Sequence, residues 1–89
     1  MPADLLALSN LGPTSVRWLV EVGIERPSDL ETLGAVEAYR RIRGAGLAVS
    51  LNLLYALHGA LWNVSWIDLP AEVKADLRQA VRSADEAET

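Results

Sequence analysis

Cysteine is absent from the 89-residue sequence. Without it the chain cannot form a disulfide framework, a thiol nucleophile or a cysteine-based zinc or iron–sulfur site, and we expect a reducing cytoplasm as its location. Long apolar runs are also missing, since no stretch reaches the ~18 residues that a membrane span needs. The N-terminus lacks the basic start and apolar core of a signal peptide. We therefore expect neither secretion nor membrane insertion.

Catalytic motifs are missing as well. The sequence has no Gly-x-Ser-x-Gly elbow, no phosphate loop and no dinucleotide fingerprint. His58 is the single histidine, and no carboxylate stands three or four residues from it within its predicted helix. A lone histidine cannot hold a metal ion, so a semi-buried polar contact is the favoured interpretation. We expect no enzyme, cofactor, metal ion or small-molecule substrate.

Positive charge is scarce. Eight basic residues stand against 12 acidic ones, a net charge of −4, which argues against the cationic surface of sequence-independent nucleic-acid binders. Three of the acidic residues (Asp85, Glu86 and Glu88) lie at the C-terminus, so residues 1–82 carry 8 basic and 9 acidic groups, a net of −1. We expect one folded domain over residues 1–82 and a frayed, disordered acidic tail over residues 83–89.

Apolar residues, 51% of the chain, recur at helical spacing between glycines. This pattern predicts an all-α fold, a single small bundle of about five short helices. The expected helices cover residues 3–8, 13–22, 29–43, where Gly34 can divide the stretch, 51–62 and a last helix opened by residues 68–70. The helix over 51–62 is apolar nearly all round and is therefore expected at the centre. Ser28 and Glu31 have the spacing of a capping box for the third helix.

The turn before Pro13 is the sharpest local motif, and it looks like a helix-hairpin-helix unit. In such units backbone amides at a helix N-terminus face a nucleic-acid phosphate. The alternative is a turn that only packs two helices, with Asn10 in the left-handed conformation that glycine would otherwise supply. The candidate contact residues for a partner or a phosphate are Asn10, Leu11, Gly12, Thr14, Ser15, Arg17 and Trp18.

Arginines and tryptophans supply the other candidates. Arg40, Arg41 and Arg43 form the one basic cluster, which either contacts an acidic partner or nucleic acid or, more commonly, is a solvated helix end that complements the helix dipole. Trp18 lies off the apolar stripe of its helix and is a candidate partner contact. Helical spacing instead favours packing in the core for Trp62 and Tyr55.

Many separated positions resemble the C-terminal domain of the TfoX/Sxy family, bacterial regulators of competence for DNA transformation. They are Asn10-Leu11-Gly12-Pro13, Trp18-Leu19, Gly23-Ile24, Asp29-Leu30, Leu33-Gly34-Ala35-Val36, Ala38-Tyr39, Ser50-Leu51-Asn52-Leu53-Leu54-Tyr55-Ala56-Leu57, Gly59-Ala60-Leu61, Trp66 and Leu69-Pro70. The resemblance covers about residues 3–80. It implies an all-α domain whose N-terminal half is helix-hairpin-helix-like, without catalytic residues to carry over.

Family members place a separate α/β domain before this one, so we expect a stand-alone C-terminal domain. Two functions stay open. The first is a regulatory protein-interaction module with an unidentified protein partner, in which self-association is an alternative because so small a domain buries a modest core. The second is a nucleic-acid-binding module that contacts a phosphate backbone through the turn at residues 10–13.

Overall fold

The computed structural model of the chain describes residues 3–8, 10–47 and 49–88. Across these residues the fold is all-α, as predicted, with six α-helices and one 3₁₀ turn. The elements are α1 (Ala3–Leu6), α2 (Pro13–Glu21), α3 (Pro27–Leu33), α4 (Ala35–Gly44), α5 (Leu51–Trp62), the 3₁₀ turn (Trp66–Asp68) and α6 (Ala71–Ala87). Ser9 of the predicted hairpin turn and Thr89 of the predicted tail lie outside the described residues.

Glycine ends two of the helices where the backbone turns left-handed. After α2, Gly23 has φ +89°, its amide donates to Val20 O at 3.0 Å, and the amide of Ile24 donates to Leu19 O at 2.9 Å. These paired bonds close the last carbonyls of the helix in a Schellman motif. Gly34, at φ +84°, separates α3 from α4, so the third predicted helix is divided at the glycine where the sequence allowed a break.

The start of α3 differs from the prediction. The capping box of Ser28 and Glu31 places the first helical residue at position 29, but the helix begins at Pro27, whose missing N–H costs nothing in a first turn. Asp29 supplies the cap: its carboxylate accepts the backbone N–H groups of Glu25 and Arg26, each at 3.1 Å. A capping box is therefore present, and Asp29 has the acidic role that the sequence assigned to Glu31.

Helix α5 lies at the centre of the bundle, as its apolar sequence predicts, and packs against α4, α6 and the 3₁₀ turn. Each helix from α1 to α5 contributes at least one large apolar side chain that is fully buried. These are Leu5, Val16, Leu19, Leu30, Ile42, Leu54 and Leu57. Helix α6 closes the core with Leu77 and Val81. No described helix combines the length and apolar character needed to cross a bilayer.

The acidic C-terminal segment is more ordered than the sequence suggests. Residues 83–87, expected in a frayed tail, instead continue α6 as far as Ala87. The physical reason lies across the fold, where Arg40 and Arg43 of α4 form ion pairs with Asp85. A helix end whose carboxylates meet guanidinium groups does not need to fray into solvent.

Candidate functional site

Asn10 adopts the left-handed conformation that the packing-turn alternative gives it, at φ +72°. Its side chain does more than tolerate the turn. The side-chain nitrogen Nδ2 donates to Val64 O at 2.8 Å, and the oxygen Oδ1 accepts the backbone N–H of Trp66 at 3.2 Å. One donor and one acceptor of the amide are therefore both used, and they fasten the N-terminal turn to the segment that follows α5.

Gly59 makes this fastening sterically feasible. A β-carbon at position 59 would lie less than 3.0 Å from both Asn10 Nδ2 and Val64 O, distances that real β-carbons do not tolerate. The turn at Asn10 and the segment after α5 therefore contact each other at the point where α5 has no side chain, at Gly59. Sequence reasoning missed this role, although a glycine inside a helix costs about 1 kcal/mol relative to alanine and often has a packing reason.

The predicted phosphate-binding residues are only partly available. Gly12 and Thr14 are exposed and Ser15 is half-buried at the start of α2, where the first amides of a helix have no intrahelical acceptor. Leu11 is buried, and its amide donates to Leu8 O at 3.5 Å, so it is not a free phosphate donor. Arg17 is exposed one turn along the helix.

The structure contradicts the core packing expected for Trp62 and leaves Trp18 partly exposed. Trp18, the candidate partner contact, is half-buried and packs against the core, because the apolar face of α2 is wider than its three-residue stripe. Trp62, expected in the core, is 70% exposed. It is the last residue of α5, and the left-handed turn at Asn63 (φ +55°) ends the helix there. Tyr55, also expected to pack, is buried.

Three exposed apolar side chains follow one another closely in this region. Trp62 is 70%, Val64 40% and Ile67 69% exposed, and we call these three residues the apolar patch. On its α5 side, the ring of His58 lies 6.1 Å from the Trp62 ring, centroid to centroid. Partial burial of His58 lowers its pKa from the ordinary value, because the protein surroundings disfavour the charged ring.

The arginine cluster is largely neutralised within the chain. The Arg40 side chain, 8% exposed, contacts Glu37 at 2.8 Å, Asp85 at 2.9 Å and Glu88 at 2.6 Å. Arg43 also contacts Asp85, at 2.6 Å, and the Arg43 guanidinium lies 5.6 Å from the centroid of the Tyr39 ring. Only Arg41 of the cluster has neither an ion pair nor burial among the described residues.

These ion pairs also shift the titration of the groups involved. Hydrogen bonds from Arg43 and Arg40 lower the pKa of the Asp85 carboxyl below its ordinary value. The pKa of Arg40 is raised, chiefly by its hydrogen bond to Asp85 and then by the one to Glu88. The cluster therefore holds together the ends of α4 and α6 and does not form an open basic surface.

The described residues offer no group of three or more histidine, cysteine, aspartate or glutamate side chains able to hold a metal ion.

The sequence profile described as the TfoX C-terminal domain matches residues 1–81. Two crystal structures of proteins from Listeria monocytogenes, both 32% identical to the chain, share its fold. The first, an uncharacterised protein in a triclinic form, has a TM-score of 0.81 over 91% of this chain and 92% of that chain. The second, a protein of unknown function in a tetragonal form, has a TM-score of 0.80 over 88% and 96%. No curated protein matches the chain.

Proposed function

The chain belongs to the TfoX C-terminal domain family, and from that premise we propose that it is a non-enzymatic protein-interaction module acting in the cytoplasm. Because the chain resembles the C-terminal domain of competence regulators, we propose that it acts in the regulation of DNA transformation. The module contributes a binding surface, and its protein partner contributes the regulatory output.

The apolar patch is the observation that supports this proposal. Trp62 and Ile67 each leave more than two thirds of their surface in water, at 70% and 69% exposure. Large apolar side chains exposed within one short segment are candidates for an interaction site, and tryptophan is a frequent energetic anchor of protein interfaces. We therefore centre the proposed contact surface on Trp62, in addition to the Trp18 contact expected from the sequence.

Photo-crosslinking in the native cell tests the proposal. A benzophenone amino acid at position 62, which replaces one aromatic ring by another, is expected to give a discrete crosslinked protein. The same group at position 32 is the control, because Thr32 is exposed on α3 and lies outside the apolar patch. Crosslinks in equal amount from both positions, or none from position 62, would contradict the proposal.

A second candidate function is binding of a nucleic-acid backbone at the start of α2. The observation in its favour is that Gly12 caps this helix without a side chain, which leaves the amides of Thr14 and Ser15 accessible beside exposed Arg17. In a low-salt DNA titration these two amide resonances should shift, and the shifts should weaken as salt rises. Leu11, whose amide is already bonded, is the internal control. Absence of salt-dependent shifts rejects this function.

A further inference from the structure

We propose that Arg40 and Arg43 form a binding site for a phosphate dianion, and that Asp85 and Glu88 at the end of α6 occupy this site as internal competitors. A phosphate ligand takes their place and releases the end of α6 from α4. The site uses none of the residues of the apolar patch, so the inference goes beyond the proposed interaction function.

The Arg40 guanidinium presents one edge to two separate carboxylates. Its Nε donates to Asp85 Oδ1 at 2.9 Å, and its Nη2 lies 2.6 Å from Glu88 Oε1. These two neighbouring nitrogens form the fork with which an arginine binds two oxygens of one carboxylate or phosphate. Oxygens from two different residues therefore stand where the two oxygens of a single oxyanion would bind.

Arg43 brings a second positive charge to the same place. It follows Arg40 by three residues on one face of α4, and its Nη2 donates to the same oxygen, Asp85 Oδ1, at 2.6 Å. A phosphate dianion matches the charge of two guanidinium groups and offers three acceptor oxygens, whereas a carboxylate or a phosphodiester carries one charge. The paired arginines therefore favour a phosphate dianion.

Open space lies beside the two arginines. A pocket of about 430 Å³ is lined by the arginine cluster, by Gly44 and by the carboxylates that pair with the cluster. Its volume falls within the range of small-molecule pockets. Arg41, which is exposed, also lines the pocket. A phosphate ligand can therefore approach the fork of Arg40 from solvent and has a further cation beside it.

The end of α6 is suited to be displaced. Asp85, Glu86 and Glu88 lie where negative charge opposes the helix dipole, and the last turn contains no basic residue. None of the described side chains after Val81 is buried. Helix α6 is thus anchored in the core as far as Val81, and the order of the turn beyond it depends on the arginines. Its release exposes no apolar core.

Phosphate titration of the full chain tests the inference. The probe is inorganic phosphate at about pH 8, where it is mainly a dianion, and binding is followed by the Cζ resonances of Arg40 and Arg43. Asp85→Asn/Glu88→Gln removes the internal competitors. Because apparent affinity scales with the fraction of open sites, we expect this variant to bind phosphate roughly tenfold or more tightly than the wild type. In the wild type, phosphate should shift the amide resonances of residues 83–87 towards those of the variant.

The same helix offers a charge-matched control. Glu72→Gln/Asp76→Asn removes the same charge from the first half of α6, where neither carboxylate forms an ion pair with another described residue. Its phosphate affinity should equal that of the wild type. If it gains as much affinity as Asp85→Asn/Glu88→Gln, only the net charge of the chain matters, and the inference is wrong.

Two arginine substitutions, each in the Asp85→Asn/Glu88→Gln background, locate the bound phosphate. Arg40→Lys keeps the positive charge and loses the planar fork, so we expect phosphate to bind about tenfold more weakly. Arg41→Lys is the control and should keep the affinity, because Arg41 forms no ion pair among the described residues. Equal affinity of the two lysine variants would contradict recognition by the fork.

A comparison of anions at equal ionic strength identifies the ligand chemistry. Inorganic phosphate and phosphoserine should both bind, and the tighter of the two identifies a free or an esterified phosphate as the source. Dimethyl phosphate carries a single charge, like a backbone phosphate of nucleic acid, and should bind more weakly. The inference is overturned if dimethyl phosphate or acetate binds as tightly as phosphate, or if phosphate binds to no variant.

Discussion

Asn10 lies directly over Gly59, so that a β-carbon on the glycine would collide with the asparagine side-chain nitrogen. The same nitrogen donates to Val64 O at 2.8 Å. Asn10 therefore has two roles: its backbone forms the left-handed turn, and its side chain joins that turn to the segment carrying the apolar patch. The connection depends on the side-chain amide of Asn10 and on the absence of a β-carbon at position 59.

Replacing Gly59 by alanine should destabilise the domain. The added methyl group must displace Asn10 or Val64, and such overpacking costs about 1–3 kcal/mol of unfolding free energy, measurable by urea denaturation. Gly44→Ala is the matched control, because a β-carbon there meets nothing within 4 Å. It should be neutral or stabilising by about 0.5–1 kcal/mol. Equal effects of the two substitutions would show that the contact over Gly59 is unimportant.

Two substitutions of Asn10 separate its backbone role from its side-chain role. Asn10→Gly keeps the left-handed turn and loses two hydrogen bonds, at a cost of about 1–3 kcal/mol in total. Asn10→Ala loses the same bonds and adds the left-handed strain of a residue with a β-carbon, roughly 1 kcal/mol more. Urea midpoints should therefore rank wild type above glycine above alanine. Wild-type stability of Asn10→Gly would mean that the side-chain bonds contribute nothing.

The end of α6 should loosen at acidic pH. The lowered pKa of Asp85 means that its stabilising contribution is fully present above the ordinary carboxyl pKa of about 4 and is lost as pH falls through the lower folded-state value. Amide exchange over residues 83–87 should report this loss. Asp85→Asn should accelerate the same amides at neutral pH. Asp76→Asn, which removes an unpaired carboxylate from the same helix, should leave them unchanged.

His58 should make stability depend on pH near neutrality. Its folded-state pKa is lowered by burial, so the unfolded chain binds a proton first as pH falls below the ordinary histidine value of about 6.5. The unfolding free energy should accordingly decrease between about pH 7 and 5. His58→Gln should flatten this slope, and NMR titration of the ring gives the folded pKa directly. A slope that persists in His58→Gln would assign it to other groups.

The parts of the fold that follow from local sequence were predicted well. The all-apolar stretch of α5 predicts the central helix, since no face of it suits water. Gly23 and Gly34 mark chain breaks because a positive φ is a local property of the backbone. The family resemblance likewise rests on short segments of sequence.

The features that depend on distant residues were not predicted. The fastening of Asn10 joins residues 54 positions apart, and the order of residues 83–87 depends on Arg40 and Arg43 in α4. A solvated acidic tail and a docked acidic helix end share the same local composition. Trp62 was misplaced because helical periodicity gives the direction of a side chain around the axis and does not show where the helix leaves the core.

The long separation of Asn10 and Val64 along the chain also has a kinetic consequence. Their hydrogen bond closes a loop that contains α2 to α5, and the entropy cost of closing it is largely met once those helices have packed. We therefore expect this bond to form after the rate-limiting step of folding. Its loss should speed unfolding and leave the refolding rate nearly unchanged. Asn10 is then a determinant of the kinetic stability of the domain, because its hydrogen bond slows unfolding.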